Sequence, residues 1–267
     1  MDHSAHTAAV PQGLQNADRG YRLTPALAIL DAGRTRVEFA ILGPDGAPVT
    51  DFDVQHEKKL HFIAVQRDTG GFQHVHPVMD AAGAWSVDLD LTPGVWRLFA
   101  DIVPTALGSG IVLGADLAVP GEYRPVDLLT PRTVSRIDDY EIVLDGALRA
   151  GTPGELTATV TRGGVPVTDL EPYLAAYGHL VALRAGDLAF LHVHPEGDPS
   201  DPETPAGPAI RFHAMAPSAG TYRLFLDFQH GGTVRTADFT LVADDAPQHD
   251  PHAEHHGDHH AAHAHHH

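Results

Sequence analysis

The chain has no cysteine among its 267 residues. That single absence removes disulfides, thiolate metal sites and cysteine nucleophiles together. Any metal bound here must be held by nitrogen and oxygen. Basic charge is scarce as well, with 17 Lys and Arg against 35 Asp and Glu, a formal net charge of −18. Nucleic acid and anionic membranes both need a basic surface, so neither is expected as a partner. Long apolar runs are also missing. The best candidate, Leu107 to Val119, contains Asp116 and falls short of the ~18 uninterrupted apolar residues that a membrane span needs. The opening MDHSAHTAAV has no apolar signal core, so no export signal or anchor is visible in it. Long helices are disfavoured by 26 Gly and 21 Pro, which punctuate the chain into short strands and turns.

What the chain does have is histidine. Ten of its 21 histidines fall between His249 and His267. That stretch has Asp250, Glu254 and Asp258, no Lys or Arg and almost no large apolar side chain. It cannot offset its ordering entropy and is expected to be a disordered tail that takes up Cu(II), Ni(II) or Zn(II) loosely. Five of the 18 negative charges belong to residues 244–267, which leaves the body acidic on its own account. At the other end, Met1-Asp2-His3 would make a square-planar Cu(II) or Ni(II) set if Met1 carries a free amine.

The body is a tandem repeat. GAPVTDFDVQHEKKLHFIAV from Gly46 matches GVPVTDLEPYLAAYGHLVAL from Gly164 without a gap. FQHVHP (72–77) matches FLHVHP (190–195), and GVWRLFAD (94–101) matches GTYRLFLD (220–227). The expected organisation is an N-terminal extension over 1–20, a first domain over 21–119 and a Pro-rich linker over 120–139. A second domain over 140–243 and the tail over 244–267 complete it. Within each copy, segments such as RTRVEFAIL and ELTATVT alternate with period two. About seven short strands in ~100 residues is the pattern of an Ig-like β-sandwich. The fold class is therefore all-β, two tandem Ig-like or cupredoxin-like sandwiches, expected to lie in line.

Three histidines recur at identical spacing, H-x12-H-x-H followed by Pro. They are His61, His74 and His76 in the first copy and His179, His192 and His194 in the second. Residues two apart on a strand share a face, and thirteen residues suffice for a strand, a turn and a return. The first histidine would then stand beside the pair, and three imidazoles would converge on one Cu(II) or Zn(II) ion. Asp101 and Asp227 end matched strands. Each is a candidate fourth ligand, an acceptor that orients a ring N–H, or the partner of Arg97 or Arg223 in an ordinary ion pair. His56, His213 and His230 lack matched partners. His230 lies near enough to Asp227 to reach the second site, but a solvated turn residue is the simpler expectation.

The strings KKLHFIAV, GFQHVHP, PGVWRLFAD, EPYLAAYGHLVAL and FLHVHP resemble a group of exported bacterial two-domain proteins associated with heavy-metal handling. The resemblance covers residues 13–243. In fold and histidine usage the chain is also distantly similar to the YtkA-like and copper-resistance carrier families. The resemblance implies an extracytoplasmic location, Cu(II) ahead of Zn(II), and binding for sequestration or for delivery to another metal-handling protein. The alternative is a metalloenzyme with an open three-histidine site, as in superoxide-dismutase or cupin chemistry. Against it, the dismutase normally has a disulfide, and no general base or nucleophile motif recurs in both copies. A third class, an adhesive sandwich with structural histidines, predicts no effect of metal on melting.

Overall fold

The computed structural model describes residues 10–191 and 193–245, and every regular element in it is a strand. The first copy supplies β1 (Ala17–Asp18), β2 (Tyr21–Pro25), β3 (Gly33–Leu42), β4 (Leu60–Gln66), β5 (Phe72–Val75), β6 (Val78–Met79), β7 (Ala84–Leu91), β8 (Gly94–Ile102) and β9 (Ile111–Val119). Next come β10 (Val134–Ile137), β11 (Tyr140–Gly146), β12 (Leu148–Arg149), β13 (Gly154–Arg162), β14 (Val165–Pro166) and β15 (His179–Arg184). The second copy closes with β16 (Phe190–Leu191), β17 (Val193–Pro195), β18 (Ala209–Ala214), β19 (Gly220–His230) and β20 (Thr233–Asp244).

These strands make two tandem β-sandwiches. In the first, the sheet β1-β2-β3-β7-β6 faces the sheet β5-β4-β8-β9. In the second, β10-β11-β13-β18-β17, with β14 beside β13, faces β12-β20-β19-β15-β16. The outer strands alternate as a half-solvated sheet should. In β3, Val37, Phe39 and Ile41 point into the core while Arg34, Arg36 and Glu38 are exposed or nearly so.

The inner strands behave differently, and the reason explains the architecture. All seven residues of β4 are buried. Leu60, Phe62 and Ala64 enter the core of the first sandwich, whereas Ile63 and Val65 join a separate apolar cluster on the opposite face. In β15, Leu180 and Ala182 enter the second core while Val181 and Leu183 join that same separate cluster. A strand buried on both faces reads as a continuous apolar run, and LHFIAV and HLVAL do so. The two sandwiches are therefore not in line, as the repeat alone suggests. Their equivalent inner sheets pack face to face, giving four layers.

The contact between them is reciprocal. Phe72 stacks on Phe225 at 4.0 Å between centroids, and their repeat equivalents Phe190 and Phe99 meet at 5.8 Å. The N-terminal extension is also drawn in. The N–H of Gly13 donates to Val112 O in the first sandwich at 3.1 Å. Beside it, Gln12 O accepts from the N–H of Phe190 in the second at 2.9 Å. The expected linker over 120–139 contains β10, which pairs with β11 because Val134 to Ile137 continue the alternation. Residues 1–9 and 246–267, and with them the N-terminal copper motif and most of the histidine-rich tail, lie outside the described residues.

Candidate metal centre

The site grows out of strand register. β4 and β5 are antiparallel with Ile63 opposite His74, and β4 and β8 are antiparallel with His61 opposite Asp101. Period two then puts His61, His74 and Asp101 on the same face of the sheet as Ile63 and Phe99. That face is the one turned towards the second sandwich. His76, just beyond the end of β5, completes the cluster. The nitrogens of His61, His74 and His76 lie within 4.8 Å of one another.

Hydrogen bonds assign the ring nitrogens of His61 and His74. His61 Nε2 is 3.0 Å from Gln55 O, and a carbonyl only accepts, so Nε2 carries the proton and Nδ1 the lone pair. His74 Nδ1 donates to Asp227 Oδ2 at 2.8 Å, so in the neutral ring Nε2 is the lone pair. His61 Nδ1 lies 3.2 Å from His74 Nε2 and 3.3 Å from His76 Nε2. Two acceptor nitrogens facing each other at this distance repel, unless a cation or a shared proton sits between them.

Electrostatics favours the neutral rings. Burial pushes His61 down to about 4, against the raising effect of the Gln55 carbonyl, and neighbouring His74, His179 and His56 lower it further. Burial likewise brings His76 to about 3, with His74, His61 and Lys58 adding to the effect. Neutral imidazole is the metal-binding form.

Asp227 corrects the pairing that the repeat suggests. It sits opposite His179 in the second copy's own sheet, yet its carboxylate holds His74 of the first copy. Thr236 Oγ1 donates to the other carboxylate oxygen at 2.5 Å. Both side chains of the His74–Asp227 pair are about 95% withdrawn from solvent, with 4% and 5% exposed. Neither aspartate makes the ordinary ion pair, because Arg97 goes to Asp116 at 3.1 Å and Arg223 to Asp238 at 2.5 Å.

The second copy's first histidine lies close to this cluster. His179 Nε2 donates to Tyr173 O at 2.8 Å and Leu174 O at 3.1 Å, as His61 does to Gln55, and its ring is 6.4 Å from that of His61. Burial pushes it to about 4. His192 lies outside the described residues, and of His194 only the backbone is described. Among the described residues the triad His61, His74 and His76 is the group able to hold an ion.

His56 is the contributor that spacing misses. It occupies a tight turn closed by hydrogen bonds between Gln55 and Lys58, with φ of 44° at His56 and 65° at Glu57. Leu174 and Ala175, at 54° and 59°, form the equivalent turn in the second copy. Such paired left-handed residues are usually Asn and Gly, so neither turn is announced by its sequence. The turn brings the His56 ring to 6.0 Å from His61 and 5.3 Å from His179. His230 instead bonds Tyr140 and Asp169, and His213 pairs with Glu196.

A family model for a domain of unknown function, DUF8832, matches residues 15–121 and again 134–245. The chain belongs to this family. Its two matches coincide with the two sandwiches. No curated protein matches the chain in sequence. Among solved structures, it is similar to the fibronectin(III)-like modules of Clostridium thermocellum CbhA at 13% identity, covering 89% of this chain and 100% of that one, with a TM-score of 0.23. It is similar to chicken CNTN1 FN1–FN3 domains at 14% identity, with 89% and 68% covered and a TM-score of 0.24. It spans only 15% of Salmonella alpha-2-macroglobulin, at 12% identity, 88% of this chain and a TM-score of 0.29. These likenesses say nothing of the site. No helix in the described residues is long and apolar enough to cross a membrane.

Proposed function

We propose that this DUF8832 protein is a divalent-metal binding protein, its first site being His61 Nδ1, His74 Nε2 and His76 Nε2. The observation that carries the reading is the convergence of one ring nitrogen from each of three histidines, with His74 braced by a buried carboxylate. Carboxylate–histidine–metal arrangements fix the ring and raise its basicity. The repeat extends the proposal to a second site on His179, His192 and His194. Binding without turnover, for sequestration or delivery outside the cytoplasm, is the role that the resemblance supplies. Zn(II) and Cu(II) are the candidate ions. Zn–N bonds of about 2.0–2.1 Å in a tetrahedral site separate neighbouring nitrogens by about 3.3 Å. Adjacent ligands of a square-planar Cu(II) at similar bond length would stand about 2.9 Å apart. Separations of 3.2 and 3.3 Å in the metal-free cluster lie near both values, so both ions stay candidates.

Titrating the full chain with Zn(II) against a competing chelator, which silences weak sites in the tail, tests this. Tight uptake is expected, along with a rise in melting temperature, because a ligand of the native state alone stabilises it. His74→Ala with His76→Ala should abolish the first tight equivalent. Unchanged tight binding in that variant, or none in the parent, overturns the reading. Asp227→Asn keeps the side chain's size but removes its charge. It should weaken the first equivalent about 10–100-fold, although Asp227 belongs to the other sandwich.

A further inference from the structure

The carboxylate that braces His74 has a second partner, and strand register puts it there. In the first copy Asp101 stands opposite Val112 across β8 and β9. IVLGADL (111–117) aligns with TVRTADF (233–239) without a gap, so the same register would set Val234 opposite Asp227. β20 is instead displaced by two residues along β19, and Thr236 occupies that rung. A slip of two keeps each side chain on its own face, whereas a slip of one would reverse them all. The face is therefore kept and its chemistry changed. An isopropyl group gives way to a hydroxyl beside the carboxylate.

That hydroxyl completes the carboxylate's coordination by donors. Thr236 Oγ1 donates to Asp227 Oδ1 at 2.5 Å, and His74 Nδ1 donates to Oδ2 at 2.8 Å. The last torsion of an aspartate is broad and has no sharp wells, so one donor alone leaves the carboxylate plane loosely set. Two donors on separate oxygens fix it. Threonine suits the task, because branching at Cβ restricts its own χ1. Asp227 is enclosed, with 5% of its side chain exposed, whereas Thr236 lies at the exposed rim of β20 with its hydroxyl turned in.

We infer that Thr236 is a positioning residue for the first metal site. Its hydroxyl holds the Asp227 carboxylate in the plane that orients His74, although Thr236 belongs to the other sandwich and is not itself a ligand. This rests on the metal-binding reading above and lengthens its brace to a chain of three, Thr236 to Asp227 to His74.

The test uses the full chain and Zn(II) against a competing chelator. Thr236→Val keeps the branched shape and removes the hydroxyl, and Thr236→Ala is a second removal should valine disturb the rim. Both should stay folded, since substitutions at exposed positions are mild. Each should weaken the first Zn(II) equivalent about tenfold, the lower end of what losing an outer partner costs, and Thr236→Ser should recover most of the loss. In an Asp227→Asn background Thr236→Val should weaken binding no further, because effects carried through one shared partner do not add. In metal-free protein the proton resonance of His74 Nδ1–H should move in Thr236→Val and return in Thr236→Ser. Unchanged affinity in the folded removal variants would overturn this inference alone. So would a loss that adds in full to that of Asp227→Asn, since it would mark a general structural effect. Absence of tight Zn(II) uptake by the parent chain would instead overturn the metal-binding reading itself.

Discussion

Metal-free protein is expected to lose stability steeply as the pH falls from about 6.5 to 4. In the folded chain His61 and His179 titrate at about 4 and His76 at about 3, all lowered from 6.5 first of all by burial. The unfolded chain therefore takes up three protons in a range where the folded chain refuses them. Stability rises with pH wherever the unfolded state binds more protons, so acidification removes it. Asp101 acts in the opposite sense. Burial raises it from 3.8 to about 7, so between those values the folded chain holds a proton that the unfolded chain has released. Three protons against one leave a net excess of about two in the unfolded state near pH 5. At about 1.4 kcal/mol per proton per pH unit, and with His76 discounted because it is only partly buried, the loss is on the order of 1–3 kcal/mol per unit in mid-window. That is large against a typical total of about 5–15 kcal/mol. Urea midpoints measured at pH 7, 5.5 and 4.5 with a chelator present check the slope. A flat midpoint would mean that the three rings are ordinary solvated histidines. Asp101→Asn removes the opposing contribution, so its metal-free form should be steeper on the acid side.

Much of this was written in the sequence, and what was not has physical causes. The duplication, the sandwich class and the HxH pair follow from spacing and alternation, which are local properties. LHFIAV and HLVAL carried a further signal, since an unbroken apolar run marks a strand buried on both faces. The choice of partner sheet is tertiary, however, and alternation cannot name it. For that reason Asp227, matched to His179 by every local measure, turns out to hold His74. His56 was hidden for another reason. Its position depends on a turn with two left-handed residues, built here from His and Glu in one copy and Leu and Ala in the other. The repeat thus preserves the backbone conformation without preserving the residue types that normally betray it.

Phe225→Ala should cost both domain docking and metal affinity, although Phe225 touches no ion. Its ring is 4% exposed, stacks on Phe72 with planes 4° apart and belongs to the cluster that joins the sandwiches. Deleting a buried Phe side chain costs about 3–5 kcal/mol. Here that cost falls on the contact between domains, since Phe225 lies outside both sandwich cores. Phe72 begins β5, the strand that carries His74 two residues on, and Asp227 lies two residues beyond Phe225. Loosening the stack therefore loosens the His74–Asp227 bond, and the triad loses the group that orients one of its rings. Phe212→Ala provides the comparison. Phe212 is fully buried within the second sandwich's own core, so its loss should lower the melting temperature by a similar amount without weakening Zn(II) binding while the protein remains folded. Linkage requires the converse as well, because an ion that binds the docked form more tightly must favour docking. Zn(II) should accordingly restore more melting temperature to Phe225→Ala than to Phe212→Ala. Equal losses of affinity in the two variants would mean that the site responds to general stability and that the domain contact has no special part in it.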